Sequence, residues 1–209
     1  MEPTSTVVDG ALDRAAAALV AAWVVLAGAG EALGEAVPPE VGNFMNTRRL
    51  IRHLIFPHLR LKRSFPLATL TKIERAVHEA ESTHGGEIRF AIESAFPLAD
   101  LRRGQSARAR ALEVFSELRV WDTEHNNGVL IYVLLADRNV EIVADRGIHK
   151  RVQQAEWEAI CRDMERAFRA GDFEDGALTG IRGTATLLSR HFPQRTRHAN
   201  ELPDQPFVR

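Results

Sequence analysis

Val129, Leu130, Ile131, Tyr132, Val133, Leu134 and Leu135 follow one another without a charged residue. A strand built from this run has no side to offer to water, so it belongs in the middle of a sheet covered on both faces. Directly before it stands a polar, oxygen-rich stretch: Trp121, Asp122, Thr123, Glu124, His125, Asn126, Asn127, Gly128. A polar loop at the mouth of a rigid core strand is where ligands are usually held.

The flanking pattern supplies the rest of a layered domain. Leu70, Ile73, Val77 and Ala80 mark a helix ending at Gly85 and Gly86. Residues 87–93 alternate, with Ile88, Phe90 and Ile92 on one face, as a strand does. Ala107, Ala111, Val114, Phe115 and Leu118 predict the next helix, ahead of the buried strand at 129–136. Asp137, Arg138 and Asn139 then form a hairpin turn into a strand at 140–144. A helix around Trp157, Ile160, Cys161, Met164 and Phe168 stops at Gly171, and Asp172 is placed as the cap of a last helix through Ala177, Leu178, Ile181, Ala185 and Leu188. Gly176, Gly180 and Gly183 give that helix a small-residue stripe suited to a close helix contact. After Phe192 the chain is polar and proline-punctuated, the composition of a disordered tail over 193–209.

Helix, strand, helix, strand, strand, helix, helix implies α/β, a three-layer α/β/α sandwich around a small mixed sheet. The first two strands bracket a crossover and run parallel, while the hairpin turns the third antiparallel. That threading carries Glu87, Asn126, Asn127, Asp145, Arg146 and Gly147 to one end of the sheet, with Asp122 and Glu124 over the same end and Asp137 at the opposite one. Carboxylates grouped with amide or backbone oxygens are what Ca²⁺ or Mg²⁺ needs, so Asp122, Asn126, Asn127, Asp145, Glu87 and Glu124 are the candidate metal ligands. The same grouping could activate water or polarise a phosphate ester. Arg146, beside a glycine whose backbone amides can approach an anion, is the candidate anion contact. The plainer reading is that Asp122 and Asn126 cap or turn the loop, while Asn127 and Gly128 supply its special backbone angles.

The N-terminal part differs in composition. Residues 15–30, AAAALVAAWVVLAGAG, carry no charge but would span only about 24 Å as a helix at ~1.5 Å per residue, short of a ~30 Å hydrocarbon core. Glu2, Asp9 and Asp13 precede the run against Arg14 alone, which is not the basic start of a signal peptide. Residues 1–44 are therefore read as a marginal membrane anchor, a loosely packed Ala-rich helix, or sequence upstream of a true start at Met45. Residues 45–63 form a basic amphipathic segment, and no acid occurs between Glu40 and Glu74. Leu50, Ile51, Leu54, Ile55 and Leu59 share its apolar face, so Arg48, Arg49 and Arg52 are expected to contact an anionic membrane; the alternative is a helix packed on the domain with solvated arginines. Residues 64–192 hold the compact domain.

Composition narrows the function classes. A net charge of −1 excludes the basic excess of a nucleic-acid binder. A single cysteine, Cys161, excludes a disulfide within the chain and sits at a core position. The eight histidines form no HExxH pattern, and the chain shows no Gly-rich phosphate cradle, Cys-x₅-Arg loop or paired Ser/His signal.

The Trp121-Asp122 loop closing on Asn127-Gly128-Val129-Leu130, the Asp137-Arg138 turn, the Asp145-Arg146-Gly147-Ile148 exit and the Phe168-Arg169-Ala170-Gly171-Asp172-Phe173 junction together resemble the TPM domain (TPM-phosphatase) family over about residues 66–190. The resemblance implies an α/β/α sandwich and a divalent-cation site where Asp122, Asn127 and Asp145 gather, since some members bind calcium and some are acid phosphatases. The expected function is a membrane-associated accessory or binding module with a cation site at one end of the sheet. The alternatives are a metal-dependent acid phosphatase, with Asp122 or Asp145 as ligand or nucleophile, and a purely structural partner protein. The expected partner is a membrane surface or a membrane protein, not nucleic acid. The domain is expected on the cytoplasmic side of a membrane, with a soluble cytoplasmic or a periplasmic location as alternatives.

Overall fold

The computed structural model describes residues 47–55, 58–193 and 200–209. The expectations for residues 1–44 and for Met45 lie outside the described residues, as does the side chain of Arg48. In chain order the elements are α1 (Thr47–Ile55), α2 (His58–Ser64), α3 (Leu67–Glu81), β1 (Glu87–Glu93), α4 (Leu98–Arg102), α5 (Ala107–Glu117), β2 (Gly128–Leu134), β3 (Asn139–Ala144), α6 (Arg146–His149), α7 (Gln154–Ala170), α8 (Phe173–His191) and β4 (Phe207–Val208).

The four strands form one open sheet in the order β3-β2-β1-β4. β1 and β2 run parallel with Glu87 opposite Gly128 and Glu93 opposite Leu134. β3 returns antiparallel, Ala144 opposite Val129 and Asn139 opposite Leu134. Helices cover both faces, and the molecule is the α/β/α sandwich that the element order implies. Val129, Ile131 and Val133 join Ile88, Phe90 and Ile92 in the core beneath α2, α3, α7 and α8. Leu130, Tyr132 and Leu134 face the other way, into a second core with Phe96, Leu101, Ala111 and Val114 from the α4 and α5 side. Every residue of β2 is buried, as a strand without a polar face requires.

The stripe on α8 serves close packing. A Cβ on Gly180 would lie 2.2 Å from Met164 Sδ, and one on Gly176 would lie 2.6 Å from Phe168 Cε1, so these positions bring α7 and α8 together. Gly171, at φ +96°, ends α7 in the left-handed conformation that favours glycine. Asp172 occupies the cap position of α8, but its side chain makes no capping hydrogen bond, contrary to expectation. Cys161 is half-buried, and burial pushes its thiol up to about 12.

Residues 200–209 correct the expectation of a disordered tail. Phe207 and Val208 pair parallel with Ala91 and Ile92, and Leu202 is buried in the second core. Sequence-specific partners hold this polar stretch down. The guanidinium of Arg89, a buried residue, donates to the carbonyls of Pro203 and Gln205, and Leu202 N–H donates to Glu87 Oε2 at 3.3 Å. Ser94 N–H donates to Arg209 O and Arg209 N–H to Ile92 O, both at 2.9 Å. The segment thus supplies hydrogen-bond partners to polar side chains of β1 that would otherwise be buried without them.

Candidate functional site

The turn before β2 and the exit from β3 are stitched together through the backbone. Asp145 N–H donates to Gly128 O at 2.9 Å, Gly147 N–H to Asn126 O at 2.9 Å, and Glu87 N–H to Asn127 O at 3.4 Å. Glu87, Asn127 and Asp145 therefore share one rim of the sheet. Asn126 adopts φ +52°, a left-handed conformation that asparagine tolerates. Gly128 is needed because a Cβ there would lie 2.0 Å from Val120 O.

The side chains at this rim divide. Asn127 is buried; its amide nitrogen donates to Gly85 O, which fixes the amide orientation and leaves Oδ1 buried without a donor. Asp145 is also buried. Its Oδ1 caps α6 by accepting from Arg146 N–H at 2.6 Å, while Oδ2 is buried without a donor. Asn126 Oδ1 accepts from Arg146 Nε at 2.7 Å, so Asn126 and Arg146 engage each other. Glu87 is turned to Leu202, and burial raises its carboxyl above the usual range, with Glu201 and Asp204 adding to the rise. Asp122 and Glu124 are exposed, and the Glu124 backbone N–H donates to Glu201 Oε2 at 3.0 Å. Among the described residues, no three His, Cys, Asp or Glu side chains gather as a metal-binding group.

The expected anion nest at Arg146 and Gly147 takes a different form. Asp145 starts a short helix rather than a glycine turn, and the four amides that follow are engaged. Arg146 N–H goes to Asp145 Oδ1, Gly147 N–H to Asn126 O, and Ile148 and His149 N–H to Asp145 O at 3.1 and 2.8 Å. The Arg146 side chain is what this corner has left for an anion.

Two histidines enter the structure in ways no sequence motif signals: His53, which stands within the basic segment at 45–63, and His84, which stands alone. His84, beside the rim, is buried; its Nδ1 accepts from Gly86 N–H at 3.2 Å, and burial lowers it to about 4, so the ring is neutral. His53 belongs to the other end of the sheet. Phe96 N–H donates to its Nδ1 at 2.8 Å, which places the ring proton on Nε2, 3.2 Å from Asp137 Oδ1. Arg49 Nε reaches Asp137 Oδ2 at 2.8 Å and Arg52 Nη2 reaches Oδ1 at 3.2 Å. Burial alone would raise the Asp137 carboxyl, but His53 and Arg49 hold it below the usual range. Two of the three arginines assigned to lipid thus clasp the β2–β3 turn. Beside them Arg108, Ser106, Asn139 and Glu141 help line an open cleft of about 410 Å³.

A mixed four-stranded sheet between two helical layers, with a stitched loop rim before β2, defines an α/β/α sandwich. The TPM domain model matches residues 63–187, and the chain belongs to that family. Among solved structures, the chain is similar to the BA42 protein of the psychrophilic bacterium Bizionia argentinensis, at 29% identity over 68% of this chain and 93% of that one, with a TM-score of 0.60. It is also similar to the N-terminal domain of a P. gingivalis protein, at 18% identity over 69% of this chain and 95% of that one, with a TM-score of 0.48. No curated protein matches the chain.

Proposed function

We propose that the protein is a membrane-associated binding module whose sheet rim holds a divalent cation, Ca²⁺ or Mg²⁺. One observation carries the cation half: Asn127 Oδ1 and Asp145 Oδ2 are both buried, both lack a hydrogen-bond donor, and both stand at the rim where Asp145 N–H meets Gly128 O. A buried oxygen left without a partner costs roughly 1–3 kcal/mol, and a hard cation accepts an amide and a carboxylate oxygen together. Asn127 and Asp145 would hold the ion. Asn126, tied to Arg146, would order the loop beside it. Bound there, the ion would fix the loop and present a positive charge to a partner.

The membrane half rests on charge distribution: residues 41–73 contain no acid and include Arg48, Arg49, Arg52, Lys62 and Arg63. Among the described residues, no helix is long and apolar enough to cross a membrane.

Calorimetric titration of the full chain with CaCl₂ and MgCl₂ tests the cation site. Saturable binding that Asp145→Asn weakens at least tenfold is expected, the asparagine keeping an oxygen to cap α6. Absence of binding to the folded wild-type chain would refute it.

A further inference from the structure

Resting on the membrane association proposed above, we infer which way the domain faces: the Asp137 end of the sheet lies on an anionic bilayer and the Asn127–Asp145 rim points away from it. The clasp of Arg49, Arg52 and His53 on Asp137 fixes α1 at the end where β2 turns into β3. Leu50 and His53 supply the inward side of α1: Leu50 packs on the second core, and the His53 ring lies 5.3 Å from that of Phe96. The outward side therefore carries Ile51 and Leu54, which are 36% and 62% exposed, an i,i+3 apolar pair with the half-exposed Arg52 between them. Just beyond Phe96, α4 adds Leu98, 36% exposed, with exposed Arg102 and Arg103.

The charges at this end suit an anionic surface. The acidic groups at this end are engaged: Asp137 by three cationic or imidazole groups, Asp100 by Arg103, Glu141 by Arg108 at 3.7 Å, Glu93 by Arg110 and the Tyr132 hydroxyl, and Glu165 by the Val140 N–H and Arg169. Apolar side chains among arginines, with the local carboxylates paired, match a headgroup layer over acyl chains rather than a soluble acidic partner, which would leave Leu54 in water. β2 is seven residues long, so the opposite rim stands roughly 20 Å away at ~3.3 Å per residue. A cation held there would face a partner beyond the membrane surface, not the lipid.

The test uses the full chain with Cys161→Ser, carrying one environment-sensitive fluorophore on either Leu54→Cys or Glu124→Cys. Each protein is mixed with phosphatidylglycerol/phosphatidylcholine vesicles containing a quencher in the acyl region. The label at position 54 is expected to be quenched at least fivefold more than the label at 124, and 0.5 M NaCl is expected to reduce vesicle binding at least tenfold. Vesicle binding with equal quenching, or with more at 124, overturns this orientation while leaving membrane association standing. Failure of the unlabelled chain to bind the vesicles overturns both.

Discussion

Gly147 lies so close to the loop before β2 that a Cβ on it would sit 2.4 Å from Asn126 O and 2.7 Å from His125 O. The same glycine donates its N–H to Asn126 O, so the exit from β3 and the entry to β2 are held by a contact that only a hydrogen atom fits. Gly147→Ala is expected to push the loop off α6 and to cost about 1–3 kcal/mol, as overpacking against fixed backbone does. Thermal unfolding checks the loss. The cation response of the variant should weaken with it, because Asn127 and Asp145 would no longer be held in register.

Asp137 ties α1 to the sheet through Arg49, Arg52 and His53. Asp137→Asn removes the charge but keeps the shape, and is expected to cost about 1–2 kcal/mol, partly screened because Arg52 is half exposed. The effect should be local. Limited trypsin digestion is expected to cut after Arg52 several-fold faster in the variant, with the rest of the domain resistant. Equal cleavage would show that the clasp does not hold α1.

Glu81 accepts a hydrogen bond from Ile88 N–H at 2.9 Å, and burial raises its carboxyl to about 9, with nearby Glu87 and Asp204 adding to the rise. A raised carboxyl favours the protonated form in the fold, so its contribution is fully present below about pH 4.5 and is lost as pH rises towards 9. Glu81→Gln imitates the protonated state. The variant is expected to flatten the decline of Tm across this window and to exceed the wild-type Tm by a few degrees at pH 8.5, measured by calorimetry. An unchanged slope would show that Glu81 ionises freely in the folded chain.

Truncation before Asn200 removes the acceptors of Arg89, the donor to Glu87 and the strand that covers the edge of β1. A buried cation left alone costs roughly 3 kcal/mol or more, and an uncovered edge invites pairing between chains. The truncated protein is expected to unfold at a clearly lower temperature and to aggregate in light scattering. A monomeric variant of unchanged Tm would show that the segment contributes no stability.

If the module binds without reacting, p-nitrophenyl phosphate should turn over no faster with the protein and Ca²⁺ or Mg²⁺ than with a heat-killed control. Turnover that Asp122→Asn abolishes without unfolding the chain would favour the phosphatase reading instead.

The central strand was legible because seven apolar residues in a row leave only one place to put it. The gathering of Glu87, Asn127 and Asp145 at one rim also followed, since strand direction is fixed by the crossover and the hairpin. Strand order does not fix where a side chain turns. Glu87 faces Leu202 because residues 200–209 fold back over β1, and their prolines and polar groups read as a loop until Arg89 is seen to need the carbonyls of Pro203 and Gln205. The arginines of α1 read as a solvent- or lipid-facing stripe because Asp137, 88 positions away from Arg49, has no local signature. Long-range charge partners of this kind lie outside any periodicity.

β2 is hydrogen-bonded on both sides, to β1 and to β3, and is buried along its whole length. Its amides can meet solvent only when the surrounding layers part together, so deuterium uptake at residues 129–134 would report the free energy of global opening rather than local fraying. The candidate rim adjoins this strand: Asn127 precedes Gly128, whose carbonyl accepts from Asp145 N–H, so the rim is anchored to the slowest-opening part of the molecule.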